Sequence, residues 1–205
     1  MPVSDGLQAG SSLVLETERL RLRDFGEDDW RAVLAYQQDS RYLRFYEWSQ
    51  RTPEEVRSFV DLFIAQQRET PRARFQLAIT LSATGRLIGN CGIRMEESHA
   101  READIGYELD PDFWGHGYAT EAARAVVGWG FSHLRLHRIT AWCIAENAGS
   151  VRVLERLGMR REGRLRDKEY FKGRWWDALS YAILEEEWLA RQGTPPTPER
   201  FGTRT

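Results

Sequence analysis

Residues 113–132 read FWGHGYATEAARAVVGWGFS. The segment Trp114-Gly115-His116-Gly117-Tyr118-Ala119-Thr120 is a glycine-rich turn. Behind it Ala122, Ala123, Val126, Val127, Gly130 and Phe131 recur at helical spacing. Ahead of it Ala103 to Leu109 alternates as a strand, and Asp110-Pro111 ends that strand because proline cannot donate to a ladder. A turn leading from a strand into a helix exposes free backbone N–H groups, with the positive end of the helix dipole behind them. Pyrophosphate fits such a row, and glycines let the phosphate approach the backbone. A phosphate loop of the G-x-x-x-x-G-K-[ST] kind is absent. A dinucleotide fingerprint would need a third glycine where Thr120 stands, and it would belong to the first strand–helix unit rather than mid-chain. Coenzyme A remains, and so does a plain tight turn before a helix; the loop by itself leaves both open.

Working outward, Leu13 and Leu15, then Leu20 and Leu22, alternate with charged neighbours as a bent or paired strand. Trp30, Val33, Leu34 and Gln37 lie at helical spacing. Thr52-Pro53-Glu54-Glu55 starts a helix whose apolar stripe is Val56, Phe59, Val60 and Phe63. Phe75 to Leu81 and Leu87 to Met95 form a hairpin around Ser82–Gly85, followed by a charged loop, Glu96 to Glu102. Downstream come a strand (Ile139–Ile144), a helix (Ser150–Leu157) stopped by Gly158, a hairpin of Arg160–Glu169 and Trp175–Leu184 around Lys172-Gly173, and a short helix, Glu185–Arg191. The order predicts an α+β fold with most strands in consecutive hairpins. It also predicts one domain over residues 12–192, between flexible tails at 1–11 and 193–205.

The chain has 205 residues, and at this length about 70% of the unfolded surface is buried on folding. With 41% hydrophobic and 29% charged residues the composition is that of a globular protein and excludes a wholly disordered chain. A net charge of −2 argues against a nucleic-acid partner. Of the 29 basic residues only Lys168 and Lys172 are lysines, which reads as compositional bias before it reads as guanidinium chemistry. No apolar run approaches 18 residues and no signal segment is visible, so no membrane partner and a cytoplasmic location are expected. Cys91 and Cys143 are too few for a disulfide framework, and no His, Cys, Asp or Glu set has metal-ligand spacing.

A second segment, Asn147-Ala148-Gly149-Ser150-Val151-Arg152-Val153-Leu154-Glu155-Arg156-Leu157-Gly158-Met159, follows 30 residues after the loop. Together with Gly106-Tyr107 and the P-x-x-W-G-x-G-Y-A-T-E-A run from Pro111 to Ala122, it resembles the GNAT superfamily of acyl-CoA N-acyltransferases. The resemblance is to the RimJ/RimL-like branch, which includes ribosomal-protein N-terminal acetyltransferases, and it runs from about Leu15 to Trp188. It implies a mixed, mostly antiparallel central sheet with flanking helices, splayed between the strands 103–109 and 139–144 to hold acetyl-CoA. The pantetheine would pair with the backbone of the first of these strands, at Tyr107 and Leu109, like an added strand. The pyrophosphate would sit on the loop Trp114, Gly115, His116, Gly117, Tyr118, Ala119 and Thr120. Asn147 would bond the pantetheine arm, and Ser150 would lie near the sulfur. Two positions depart from the family pattern. Trp114 replaces a polar residue, and Leu154 stands where many relatives carry a tyrosine that protonates the leaving thiolate. Ser150 is then the nearest matching hydroxyl, with bulk water as the fallback.

Direct transfer needs a neutral amine against the thioester, so proximity and proton management are the expected catalytic help. Glu108, at the end of the strand lining the splay, is the first candidate base; a solvated strand-end carboxylate is the plainer alternative. Glu47 is a weaker candidate, and Glu121 reads as a helix cap rather than a catalytic group. His116 is expected to contribute its backbone, and both cysteines to be buried inert thiols. Two aromatic stretches, Tyr36/Tyr42/Phe45/Tyr46/Trp48 and Tyr170/Phe171/Trp175/Trp176, flank the expected acceptor side either as a slot or as packing. Asp177 is either a structural hydrogen bonder or an acceptor contact. The expected function is acetylation of a protein or peptide N-terminal amine. The alternatives are a small-molecule amine (polyamine, aminoglycoside or amino acid) and a non-catalytic acyl-CoA-binding module. A homodimer is compatible with the resemblance.

Overall fold

The computed structural model describes residues 12–193. The chain opens with the short hairpin β1 (Val14–Glu16) and β2 (Leu20–Arg23), then α1 (Trp30–Gln37), a single turn α2 (Ser40–Leu43) and α3 (Pro53–Gln67). The capping box holds: Thr52 Oγ1 accepts from Glu55 N at 3.2 Å, and Glu55 Oε2 accepts from Thr52 N at 2.9 Å. The hairpin β3 (Arg74–Leu81) and β4 (Leu87–Arg94) follows, then β5 (Glu102–Leu109), α4 (Tyr118–His133), β6 (Arg138–Ile144) and α5 (Ala148–Leu157). The long hairpin β7 (Arg160–Phe171) and β8 (Arg174–Leu184) and the helix α6 (Glu185–Arg191) complete the fold. The tails expected at 1–11 and 193–205 lie outside the described residues, apart from Gly193.

The eight strands form one sheet in the order β1-β2-β3-β4-β5-β6-β8-β7. Every pairing is antiparallel except β5 with β6. That parallel pair is brief: Glu102↔Arg138, Ala103↔Ile139 and Asp104↔Thr140. Beyond it β5 continues to Leu109 beside β4, while β6 continues to Ile144 beside β8. The sheet therefore opens into a V between Ile105–Leu109 and Ala141–Ile144, as the resemblance implied. Its main core packs β-sheet residues such as Leu77, Ile93, Ile105 and Ile139 against Ala122, Val126, Val127 and Phe131 of α4 and Leu154 and Leu157 of α5. Gly130 sets the α4 approach, since a Cβ there would stand 2.7 Å from Ile93 Cδ1. On the opposite face a second cluster joins Val33 and Tyr36 of α1 to Val56, Val60 and Phe63 of α3 over Ala78 of β3.

Candidate active site

The loop between β5 and α4 holds the geometry its glycines suggest. Gly115 and Gly117 both have φ of +81°, in the left-handed region that glycine enters without penalty. Among the described residues no backbone acceptor meets the N–H groups of Gly115 through Thr120. Six consecutive amides thus front the N-terminus of a 16-residue helix. The Trp114 side chain is half exposed, and its indole Nε1 donates to the Leu109 carbonyl at 2.8 Å, tying the loop to the end of β5. His116 is exposed, and its carbonyl accepts from Arg19 Nη1 at 3.1 Å. Arg19 also stacks over the Tyr118 ring and pairs with Glu121 at 2.6 Å. The sequence reading missed Arg19, whose partners lie about a hundred residues away. It also misread Glu121, which does not cap α4. The Glu121 carboxylate accepts from Thr17 Oγ1, Arg19 N and Arg19 Nε, pinning the β1–β2 turn to the loop. Burial works against its charge, yet those donors hold it below the usual carboxylate range.

On the α5 side, Asn147 is the N-cap: its Oδ1 accepts from Ser150 N at 3.1 Å, and among the described residues its Nδ2 has no acceptor. Ser150 Oγ lies 2.9 Å from the Tyr107 hydroxyl, which also lies 3.1 Å from the Ser150 carbonyl. Tyr107 was singled out for its backbone; its side chain joins β5 to the first turn of α5. Burial pushes this phenol above its ordinary range. Leu154 is buried in the main core. Cys91 and Cys143 are buried free thiols, and burial pushes Cys91 up to about 12. Neither thiol is primed as a nucleophile.

Glu108 is no solvated strand end. Its Oε1 accepts from Tyr36 Oη (2.6 Å), Gln37 Nε2 (2.9 Å) and Asn90 Nδ2 (2.5 Å), and its Oε2 accepts from Tyr42 Oη (2.5 Å). Four converging donors complement an acceptor-only, ionised carboxylate. Burial and the Glu108 charge together raise the Tyr36 and Tyr42 phenols well above their usual range, so both remain protonated donors. Tyr42, Tyr46 and Trp48 stack in succession, with centroids 4.6 and 4.9 Å apart, leading away from the Tyr42 hydroxyl that meets Glu108. Glu47 is exposed on the loop between α2 and α3, outside the hydrogen bonds around Glu108. The second aromatic stretch divides: Phe171 and Trp176 stack, with Phe45 edge-on, while Tyr170 and Trp175 are exposed. Lys172, at the tip of the β7–β8 hairpin, donates to the Leu43 carbonyl at 2.6 Å and ties the hairpin to α2. Asp177 is a structural group: it accepts from Asp167 N at 2.9 Å and pairs with Arg164 at 2.6 Å, holding the bulge where Asp167 has φ +49°.

Among the described residues no group of three His, Cys, Asp or Glu could hold a metal, and no helix is long and apolar enough to cross a membrane. The family model "Acetyltransferase (GNAT) domain" matches residues 19–160. The uncharacterized N-acetyltransferase YnaD of Bacillus subtilis is 35% identical over 85% of this chain and 98% of its own length. A GNAT-family acetyltransferase structure from Bacillus anthracis superposes with a TM-score of 0.74 at 34% identity, covering 85% of this chain and 99% of that one. At lower identity, the spermidine N(1)-acetyltransferase of Escherichia coli is 24% identical over 86% of this chain and 91% of its own. The structure of RimL, a ribosomal L7/L12 α-N-protein acetyltransferase in complex with coenzyme A, shares the fold with a TM-score of 0.75 at 22% identity, covering 84% of this chain and 98% of that one. The V in the sheet, the amide row before α4 and these matches together establish that the chain belongs to the GNAT family of acetyl-CoA-dependent N-acetyltransferases.

Proposed function

We propose that this N-acetyltransferase transfers the acetyl group of acetyl-CoA to the α-amine of a protein or peptide N-terminus, by direct attack with both substrates bound. The observation that carries the reading is β5 itself. Within two residues it offers Glu108 to one face and Tyr107, joined to Ser150, to the other, beside the opening of the sheet. Acetyl-CoA supplies an acyl group activated as a thioester. The N–H groups of Gly115 to Thr120 would hold its pyrophosphate, with Trp114 bracing the loop. The backbone of Tyr107 and Leu109 would hold its pantetheine, although one lone pair of the Leu109 carbonyl is already used by Trp114. The free Nδ2 of Asn147 would meet the same arm.

Glu108 takes the proton of the attacking amine, directly or through a water. We assign that task to Oε2, which among the described residues accepts one hydrogen bond, from Tyr42, while Oε1 accepts three. Ser150, directed by Tyr107, is the hydroxyl we assign to the departing sulfur. The choice of acceptor follows from amine chemistry. At pH 7.4 neutralising an α-amine costs under ~1 kcal/mol, whereas a lysine costs about 4. A single carboxylate suffices for the first and is hard pressed by the second. RimL, an α-N-protein acetyltransferase, supports an α-N acceptor; the spermidine enzyme supports a polyamine as the second reading. A cytoplasmic setting, without nucleic acid, accompanies the proposal; assembly as a homodimer is a further part of it that solution mass would decide.

The test is release of free CoA thiol from acetyl-CoA with three acceptors: a peptide with a free N-terminus, an N-terminally blocked peptide carrying lysine, and spermidine. Turnover is expected with the free N-terminus. Faster turnover with spermidine would move the assignment to polyamines. Binding of acetyl-CoA without turnover of any amine would make the protein a binding module.

A further inference from the structure

Polar side chains continue away from Glu108 across three strands on one face of the sheet. The register sets Ala78, Asn90 and Glu108 side by side on β3, β4 and β5, then Gln76, Gly92 and Gly106, then Arg74, Arg94 and Asp104. A diagonal line of hydrogen bonds crosses these rows. Arg94 pairs with Asp104 and donates from Nη1 to Gln76 Oε1 at 3.4 Å. Gln76 Nε2 donates to Asn90 Oδ1 at 2.5 Å, and Asn90 Nδ2 donates to Glu108 Oε1 at 2.5 Å. Gln76 and Asn90 are 5% and 2% exposed, so neither amide has water as a substitute partner.

The line has a direction. A guanidinium can only donate and an ionised carboxylate can only accept, whereas a carboxamide has one end of each kind. Arg94 therefore turns the Gln76 oxygen toward itself and the Gln76 NH₂ toward Asn90. Asn90 must then present its oxygen to Gln76 and its NH₂ to Glu108. Both ends demand the same orientation of both amides; turning Gln76 breaks two bonds at once, and turning Asn90 breaks three, since its Nδ2 also donates to the Tyr36 hydroxyl at 3.3 Å. The two glycines of the middle row make the path passable. A Cβ at Gly92 would lie 2.1 Å from Gln76 Oε1, and one at Gly106 would lie 2.8 Å from Arg94 Nη2. Gly106, part of the motif that carried the family resemblance, thus has a physical task on this face: it leaves room for the Arg94 guanidinium over β5.

We propose that Arg94 and Gln76 are positioning residues for Glu108, holding the Asn90 NH₂ on its Oε1 and so keeping Oε2 turned to the acceptor amine. The proposal rests on the assignment of Glu108 as the base. Its test compares Gln76→Glu, Arg94→Met and Arg94→Lys with Glu108→Gln, reading kcat, the KM for acetyl-CoA and the pH profile of kcat/KM. Gln76→Glu keeps the bond to Arg94 but removes the donor toward Asn90, so the Asn90 NH₂, now between two carboxylates, is drawn from Glu108 toward residue 76. It is expected to lower kcat about ten- to a hundred-fold, the scale of a small misplacement of a reacting group. The KM for acetyl-CoA should not change. The acidic limb of kcat/KM should move to higher pH, because losing a donor favours the protonated carboxyl. Arg94→Met should act in the same direction, and Arg94→Lys, still donor-only, should restore the profile. Arg94 is half-exposed, so its variants carry the test if Gln76→Glu does not fold. An unmoved limb in both Gln76→Glu and Arg94→Met, with the limb lost in Glu108→Gln, would overturn the proposal alone. A limb that survives Glu108→Gln would overturn the assignment of the base and the proposal with it.

Discussion

Gly117→Asp is the perturbation that probes the amide row most directly. Gly117 has φ +81° and ψ 0° at the N-cap of α4. Aspartate enters the left-handed region at a cost of up to ~1–2 kcal/mol, and as an N-cap residue it recovers part of that by accepting from the helix amides. A built Cβ meets nothing closer than Arg19 Nη2 at 3.6 Å, so the substitution fits. The variant should therefore fold. What it adds is a negative charge on the surface expected to hold a pyrophosphate. Two unit charges about 4 Å apart near a protein surface repel by ~4 kcal/mol, and Arg19 screens part of this. A net loss of about 2–4 kcal/mol in acetyl-CoA binding is roughly a 30- to 1,000-fold rise in Kd. Gly117→Asn carries a similar backbone cost and shape without the charge, so the difference between the two variants isolates electrostatics. Calorimetric titration of acetyl-CoA at low and high salt reads it, and the Asp–Asn gap should shrink as salt screens the charge. Equal affinities for wild type and Gly117→Asp would refute the placement of the pyrophosphate on these amides.

Three further outcomes follow from the same geometry. Glu108→Gln puts an NH₂ where four donors converge, so one of Tyr36, Gln37, Asn90 and Tyr42 loses its acceptor. Calorimetry should show a loss of about 1–3 kcal/mol, and turnover of an α-amine at pH 7 should fall ~10²–10⁴-fold; unchanged turnover would remove Glu108 from the chemistry. Glu121→Gln tests the clamp on the β1–β2 turn. Because the folded carboxyl is held below its unfolded value, its contribution is present above the ordinary carboxylate range and is lost as pH falls through the folded value. The wild type should exceed the variant by about 1–2 kcal/mol at pH 7 and lose that advantage under strongly acidic conditions; a difference independent of pH would contradict the ionic account. Thr52→Ala removes one half of the capping box on α3 and should lower the melting temperature by an amount equivalent to ~1 kcal/mol, with the KM for acetyl-CoA untouched.

Local regularities made most of this fold readable from the sequence. Each hairpin carries its own period-two alternation and turn residues, and α3 and α4 carry their own start signals. The turn α2 was missed because four residues are too few for a helical repeat to show. The amide loop and the Asn147 cap were legible for the same local reason: Asn147 and Ser150 are three residues apart. The surroundings of Glu108 were not. Tyr42, Gln37 and Tyr36 come from 66 to 72 residues upstream, and nothing in their own spacing marks them as its partners. The Arg19–Glu121 contact spans 102 residues and was hidden in the same way. Where a role depended on long-range packing, the nearest local function was assigned instead, and Glu121 became a helix cap.

Leu154 raised the question of where the acid went, and the strand period bears on the answer. Successive residues of a strand point to opposite faces, so Tyr107 and Glu108 cannot share one. Glu108 turns to the side roofed by α1 and α2, and Tyr107 to the side of α5. A phenol thus reaches the first turn of α5 from β5, whereas the family resemblance implied one within the helix. The two are not equivalent. Burial raises Tyr107, so it keeps its proton at neutral pH and acts as a hydrogen-bond donor rather than as a proton source. If it donates to the Ser150 carbonyl, it accepts the Ser150 hydroxyl proton and turns that hydroxyl away from the sulfur. If it donates to Oγ, the Ser150 proton is free to meet the departing thiolate. Only the second arrangement helps the reaction, and in it the proton that finally stays on sulfur comes from water, with Ser150 stabilising the thiolate meanwhile. Under the proposed mechanism a missing tyrosine at position 154 is then a change in how the leaving group is stabilised, not a loss of catalysis.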